Sequence, residues 1–297
     1  MPELPEVESV RRGLAHHVLG ATIAAVEVRR DSVARRSPSP RAFVDAITGT
    51  RIDAAVRRGK FLWLVLDDGA AALSAHLGMS GQFRVYGEEI PQAHAHCRAR
   101  FTLNAAGGQL TLDFLDQRTF GDLHAEEFVS TPDGLPGGQG SMSPLVPASV
   151  AHIGRDALDP ALRRKTVLEQ WRRGTRGIKQ LLLDQTLVSG IGNIYADEAL
   201  WRARVNPVTP ASGLSGRAAG ALLDATQQVM AEALAAGGTS FDALYVNVNG
   251  ESGYFDRSLN AYGRGGEPCA RCGRLISRAM VGGRSTHWCP RCQRLPR

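Results

Sequence analysis

The chain has 297 residues, 43% of them hydrophobic, which is ordinary for a globular protein and long enough for two domains. No run of about 18 apolar residues occurs, so no membrane-spanning helix is expected; the acidic start Met1-Pro2-Glu3-Leu4-Pro5-Glu6-Val7-Glu8 has no apolar signal segment, and a cytoplasmic protein is expected. The net charge of +6 is unevenly placed: Arg264 to Arg297 holds eight Arg against one acid, a local +7 that leaves the rest near −1.

In chain order, Val7, Val10, Leu14 and Val18 fall on one stripe of an opening helix. Phe61-Leu62-Trp63-Leu64-Val65-Leu66 is a continuous apolar run closed by Asp67-Asp68-Gly69, and reads as a buried strand. Leu110, Leu112 and Phe114 alternate with Thr111 and Asp113, which predicts a half-buried strand entered from a turn at Ala105-Ala106-Gly107-Gly108. One helix and several strands suggest a two-layered β-sandwich or flattened barrel. Residues 131–149 contain four Gly and four Pro and read as a linker. Beyond it the pattern is helical: Ile178 to Leu183 and Ile194 to Ala203 flank a Gly-rich turn, and Gly216 to Ala236 is a longer helix closed by Gly237-Gly238. Arg155 to Lys179 carries eight Lys/Arg against three acids, and the two basic stretches favour a polyanionic partner over plain solvated faces. Thr239 to Phe255 is polar and weakly periodic, and reads as a mobile loop.

Four of the five cysteines form Cys269-x2-Cys272 and Cys289-x2-Cys292 with sixteen residues between the pairs. Four thiolates at this spacing suit a tetrahedral structural zinc ion, rubredoxin-like iron being the alternative. With every position taken by sulfur, the metal would hold a hairpin bearing Arg274, Arg278 and Arg284, which can meet phosphates bidentately. Cys97 is left as a single free thiol. Gly190-Ile191-Gly192-Asn193 permits a tight turn, after which Asn193 can cap the next helix; that helix start is either an ordinary cap or a phosphate site. Met before Pro is normally removed, which would leave Pro2 as a free secondary amine with a pKa of roughly 8. A neutral secondary amine can attack an aldehydic carbon and give an iminium ion, an electron sink for elimination. The plain alternative is that Pro2-Glu3 only starts a helix.

The segments Pro2-Glu3-Leu4-Pro5-Glu6-Val7-Glu8, Arg58-Gly59-Lys60-Phe61-Leu62, His76-Leu77-Gly78-Met79-Ser80-Gly81, Asp116-Gln117-Arg118-Thr119-Phe120-Gly121, Gly190-Ile191-Gly192-Asn193-Ile194-Tyr195 and the four-cysteine finger follow one another in order. Together they resemble the formamidopyrimidine-DNA glycosylase family from end to end. The related endonuclease VIII family, which acts on oxidised pyrimidines, usually has Gly where Leu4 stands here. The resemblance implies an enzyme of base excision repair that removes oxidised purines from duplex DNA and nicks the strand by β,δ-elimination. It implies Pro2 as the nucleophile at the sugar C1′, Glu3 as the acid that assists ring opening, Lys60 as a phosphate contact that assists β-elimination, and Arg284 as the finger arginine that assists δ-elimination. Asn193 would bind the phosphate beside the everted nucleotide. Met79, Arg118 and Phe120 would fill the hole left by the flipped base; for Met79 and Phe120 the alternative is core packing. His96 would contact DNA, with His94 as the alternative. Where many relatives carry a Lys before Ile178 this chain has Gly174, and Arg173 or Arg176 would have to substitute.

The expected fold is α+β. An N-terminal catalytic β-sandwich with a leading helix spans 1–130 and a linker 131–149. A helix-two-turn-helix domain with a lesion-side loop spans 150–262, the zinc finger 263–297, and DNA would lie in the cleft between the domains. One structural zinc ion is the only cofactor expected, the partner is duplex DNA, and the working form a monomer. Two rivals stand beside this reading: a same-fold glycosylase for oxidised pyrimidines, and a non-catalytic zinc-bearing DNA-binding protein.

Overall fold

The opening helix α1 spans Leu4–Val18 in the computed structural model, which describes residues 2–87, 89–238 and 259–296. Val7, Val10, Leu14 and Val18 are all buried, as their spacing requires. Glu3 is the N-cap: its backbone N–H donates to Glu6 Oε2 at 2.8 Å, and its side chain accepts from the backbone of Glu6 in return.

The described residues divide into two units at His152/Ile153. In the first, β1 (Thr22–Val28), β5 (Gln82–Tyr86), β6 (Cys97–Ala105) and β7 (Gly108–Leu115) form an antiparallel sheet ordered β1-β6-β7-β5. A second antiparallel sheet, β2-β3-β4-β8, comprises β2 (Ile52–Arg58), β3 (Phe61–Leu66), β4 (Ala71–His76) and β8 (Asp122–Glu126). Their inner faces share one apolar core with α1 and α2 (Pro40–Ile47), centred on Leu14, Ile23, Leu64, Leu73, Phe101 and Leu112. This is the expected sandwich behind a leading helix.

Two expectations differ from the structure. Thr111 and Asp113 are not solvated: both are buried, so β7 is covered on both faces. The cause is Arg100 opposite, whose guanidinium donates twice to the Asp113 carboxylate at 2.7 Å and also reaches Pro91 O. The supposed linker is also folded. After β9 (Phe128–Ser130) the chain returns as β10 (Leu145–Pro147) to pair with it, and between them Gln139 exchanges two backbone hydrogen bonds with Arg57 of β2. A Cβ on Gly138 would stand 2.3 Å from Arg57 O. The glycines there admit a close backbone approach and do not loosen the chain.

The second unit holds α3 (Arg164–Arg173), α4 (Ile178–Leu182), α5 (Asn193–Ala203) and α6 (Gly216–Ala235). Ser215 caps α6 by accepting from Ala218 N, and Gly237 and Gly238, both at positive φ, close it through bonds to Leu234 O and Ala233 O. The finger follows as β11 (Ser277–Val281) and β12 (Arg284–Trp288), joined by Gly282 and Gly283 at φ 56° and 75° in a two-residue turn. It falls in the same compact unit as the helices. The expected loop from Thr239 to Phe255 lies outside the described residues. Among the described residues no helix is long and apolar enough to cross a membrane.

Candidate functional site

The first unit gathers most of the expected residues. Pro2 and Glu3 are buried at the start of α1. Lys60 follows Gly59 (φ 59°) in the two-residue turn between β2 and β3. A buried ion pair ties that turn to the helix. Arg57 Nε donates to Glu8 Oε2 at 2.9 Å, and its Nη1 to Gly59 O at 3.0 Å. Burial alone would raise the Glu8 pKa, but hydrogen bonds from Arg11 and the charge of Arg57 outweigh it and hold the carboxyl below its usual range. Sequence reasoning missed this pair. A Glu and an Arg that pair across 49 positions of sequence leave no mark on periodicity.

Met79, Arg118 and Phe120 come together on two interlocked turns. Arg118 Nη1 lies 3.5 Å from Met79 Sδ. Gly78, at φ 58°, backs directly on the Phe120–Gly121 peptide, where a Cβ would meet backbone at 2.7 Å. Met79 is 42% and Phe120 54% exposed, so neither belongs to the core. The Asp116 carboxylate organises the turn, accepting from Ser80 Oγ, from Arg118 N at 3.2 Å and from Gly121 N at 2.7 Å. His96 sits at its base, where its carbonyl accepts from Asp116 N at 2.9 Å, while His94 is exposed next to it. Cys97 is buried, and its thiol is pushed up to about 12 by burial and by Asp113, so it is an inert core group.

In the second unit Asn193 does not cap α5. Gly192, extended at φ −118°, is the N-cap, and Asn193 is the first helical residue, with its amide donating to Ser285 O at 2.8 Å. The tight glycine turn shifts the cap by one residue and turns the side chain onto the finger hairpin. Lys179, counted in the sequence as the end of a basic stretch, is instead buried and anchors the same hairpin. It is 1% exposed and donates to Asp197 Oδ1 (2.6 Å), Thr286 Oγ1 (2.8 Å) and Ser285 O (3.2 Å). Arg284 is exposed at the start of β12, beside these anchored residues. Gly174 ends α3 against Leu181, and of the two substitutes Arg176 pairs with Asp184 while Arg173 is exposed.

The sulfurs of Cys269, Cys272, Cys289 and Cys292 lie within 4.8 Å of one another. Zinc–sulfur bonds of about 2.3 Å in a tetrahedron require neighbouring sulfurs about 3.8 Å apart, so the donor set fits one zinc ion. Burial would raise the Cys269 pKa, but the Trp201 indole N–H at 3.4 Å and backbone N–H groups bring it down to about 6. Cys292 is instead pushed up to about 12 by burial and by its neighbouring sulfurs. A divalent cation is what lets four such thiolates coexist. Arg271, between two of the ligands, stacks 3.6 Å from the Trp201 ring and donates to Trp201 O and Arg202 O at the end of α5.

A double-layered sandwich, a helical unit and a four-sulfur finger, in that order, are the parts of a class of DNA-repair glycosylases. Family models agree segment by segment. Residues 1–123 match the formamidopyrimidine-DNA glycosylase N-terminal domain, 153–244 its H2TH domain, and 266–295 the zinc finger found in FPG and IleRS. The chain is 52% identical to the formamidopyrimidine-DNA glycosylase of Nocardioides sp. (strain ATCC BAA-499 / JS614), over all of this chain and 96% of that one. The identity is again 52% to that of Rhodococcus opacus (strain B4), over all of this chain and 98% of that one. Its fold matches the MutM (Fpg) protein from Thermus thermophilus with a TM-score of 0.81 at 37% identity, all of both chains being covered. For Lactococcus lactis Fpg, solved with an abasic-site-containing DNA, the TM-score is 0.80 at 30% identity, with 98% and 99% covered. The chain belongs to the formamidopyrimidine-DNA glycosylase family. It is a DNA-repair glycosylase with the lyase activity of that family, and its finger holds one structural zinc ion.

Proposed function

We propose that this enzyme acts as a cytoplasmic monomer that excises oxidised purines, 8-oxoguanine and formamidopyrimidines, and nicks the strand by β,δ-elimination through a Schiff base on Pro2. The observation that carries the reading is the exposed trio Met79, Arg118 and Phe120. A relative, a Lactococcus lactis Fpg variant, has been solved with Fapy-dG-containing DNA, which supports the same substrate class.

The target nucleotide must leave the stack before its C1′ can be reached. The Pro2 nitrogen attacks C1′, the bond from C1′ to the base nitrogen breaks, and the base departs with the bonding pair and with the proton that the attacking amine gives up. Glu3 protonates the ring oxygen as the sugar opens, leaving an iminium that needs no further proton. Loss of a C2′ proton then expels the 3′ phosphate, and a second elimination expels the 5′ phosphate. Water finally releases the sugar fragment and restores the amine. Lys60 and Arg284 hold the departing phosphates, and His96 a neighbouring one. The second N–H of Asn193 binds the phosphate beside the everted nucleotide while the first holds Ser285 O.

Met79 and Phe120 restore stacking in the vacated space, and Arg118 meets the orphaned base. Cytosine offers O2 and N3 as acceptors to a guanidinium, whereas adenine offers only N1 beside an amino donor. Excision should therefore favour cytosine over adenine opposite the lesion, by about tenfold to a hundredfold.

The test is single-turnover cleavage of duplexes carrying 8-oxoguanine opposite each base, beside thymine glycol duplexes, with borohydride trapping of the intermediate. A covalent adduct lost when Met1 is retained, and a cytosine preference flattened in Arg118→Ala, are the expected results. Faster cleavage of thymine glycol would move the substrate class to oxidised pyrimidines. Trapping at full yield with Met1 in place would remove Pro2 as nucleophile.

A further inference from the structure

We propose that Arg35 is the positioning residue that holds the turn bearing Arg118 and Phe120 in its reading conformation, and so sets the opposite-base preference; the proposal rests on the reading of Arg118 given above.

The turn from Asp116 to Asp122 cannot owe its shape to its own backbone. Thr119, a β-branched residue, stands at φ 55°, a left-handed conformation that costs roughly 1–2 kcal/mol for a residue other than glycine. Such strain persists only where the surroundings over-determine it. Three groups do so. From within, Asp116 gathers the N–H groups of Arg118 and Gly121. From β6, the neighbour of the entering strand β7, Arg98 donates from Nε to Asp116 O at 2.7 Å. The exit is held by Arg35 alone among these groups, from a different part of the chain. Arg35 follows the short 3-10 helix Asp31–Ala34, and its Nη1 donates to Gly121 O at 2.6 Å while its Nη2 donates to Phe120 O at 2.9 Å. Nη2 also reaches Asp122 Oδ2 at 2.6 Å, and Nη1 donates back to Ser32 O at 3.1 Å.

This is a fork-shaped acceptor set. Two successive carbonyls and a carboxylate are met by one planar guanidinium, which a lysine ammonium cannot reproduce. The carbonyls belong to the two residues immediately after the strained threonine, one of them Phe120 itself. The Arg35 side chain is 41% exposed, so its loss opens no core cavity. What it removes is the restraint on the exit of the turn, and freedom there is transmitted to the Arg118 guanidinium through the Thr119 hinge. Misplacement of a contacting group by about 1 Å is enough to cost up to a hundredfold.

The experiment compares wild type, Arg35→Gln, Arg35→Lys and Arg118→Ala. It measures single-turnover excision of 8-oxoguanine opposite cytosine and adenine, hydrogen exchange of the backbone amides of residues 117–122, and the melting temperature. Expected are a cytosine-to-adenine ratio about tenfold lower in Arg35→Gln, a smaller loss in Arg35→Lys, faster exchange at Arg118 and Gly121, and a lowered melting temperature with the fold retained, because the buried Asp122 keeps Arg36 at 3.4 Å and His124 at 3.2 Å. A general loss of fold would lower the rates opposite both bases together and leave the ratio alone. Wild-type exchange in Arg35→Gln overturns the proposal. So does accelerated exchange with an unchanged ratio when Arg118→Ala itself lowers that ratio. Should Arg118→Ala leave the ratio intact, the reading of Arg118 fails separately, and Arg35 is then judged by the turn itself: accelerated exchange supports the clamp and unchanged exchange overturns it.

Discussion

Replacing Lys179 by Met removes one ammonium and should destabilise the whole second unit. The Lys179 and Asp197 side chains are 1% and 0% exposed, with Nζ 2.6 Å from Oδ1. Asp197 Oδ2 is occupied by His287, through its backbone N–H at 2.9 Å and its ring Nδ1 at 3.0 Å. Met fills the volume of the Lys stem, so packing is nearly conserved and the loss is electrostatic. A buried carboxylate stripped of its cation costs about 3–5 kcal/mol, and Thr286 Oγ1 and Ser285 O also lose a donor. At about 3–5 °C per kcal/mol for a unit of this size, the melting temperature of that unit should fall by roughly 10–20 °C. The double variant Lys179→Met/Asp197→Leu removes both charges and leaves chiefly the His287 N–H unpaired, a penalty of about 1–3 kcal/mol. It should therefore be more stable than the single variant. Calorimetry of wild type, both single variants and the double variant closes the cycle. A Lys179→Met protein melting within about 2 °C of wild type would refute the reasoning, because it would mean that the pair is not desolvated.

Chelating zinc should unfold the finger, because such sites draw about 10–16 kcal/mol of folding free energy from the metal; circular dichroism and a DNA titration should then change together, and full affinity in metal-free protein would detach the finger from DNA binding. That affinity should fall steeply with added salt as arginine contacts release counterions, which a titration series in sodium chloride measures. Gly78→Ala places a Cβ 2.7 Å from Gly121 N at φ 58°, and should destabilise by about 1–3 kcal/mol while slowing excision whatever the opposite base; a neutral effect on both would free the two turns from each other. The His124 ring lies 3.2 Å from Asp122 and 3.0 Å from Glu126. Burial opposes its charge, but those carboxylates outweigh burial and raise its pKa, so its contribution is full below about 6.5 and is lost as pH rises through the raised value. Glu126 is raised by burial but lowered further by His124, Ser74 and Ser149, to about 2, so its contribution is present above 4.5 and is lost as pH falls toward that value. Urea midpoints across pH for wild type and His124→Asn test both limbs, and an unchanged alkaline limb in the variant would rule out His124.

What can be read from the sequence is what depends on residue type and short spacing. The α1 stripe, the buried run Phe61–Leu66, the closing glycines of α6 and the four-sulfur cluster all follow from local periodicity or ligand chemistry, and the structure has each of them. Expectations break down where one residue type serves two physical ends. Glycines in 131–149 suggest freedom, yet Gly138 is there because Arg57 O leaves no room for a Cβ. Thr111 and Asp113 suggest a wet face, yet Arg100 covers that face by pairing with the aspartate. Asn193 suits a cap by residue type, but the cap rule depends on register to a single residue, and Gly192 takes the position.

The groups that could not be foreseen share one property: their partners are remote in sequence, and several are backbone carbonyls. Lys179 is tied to Ser285 and Thr286, more than a hundred positions away, and Arg35 to Phe120 and Gly121. A carbonyl has no residue identity, so nothing in the one-letter code marks it as an arginine's acceptor. Such contacts are nevertheless what turn residue types into geometry. Pro2, Arg118 and Arg284 stand out in the sequence by residue type and by the resemblance, whereas the contacts Glu8–Arg57, Arg35–Phe120 and Lys179–Ser285 that fix the surrounding chain do not. On the proposed roles, substitution of Pro2 or Arg284 should remove a chemical step, and substitution of Arg118 should flatten the opposite-base preference. Substitutions that break the fixing contacts should leave those residues present but misaligned, and show as lost selectivity or stability before they show as lost reaction.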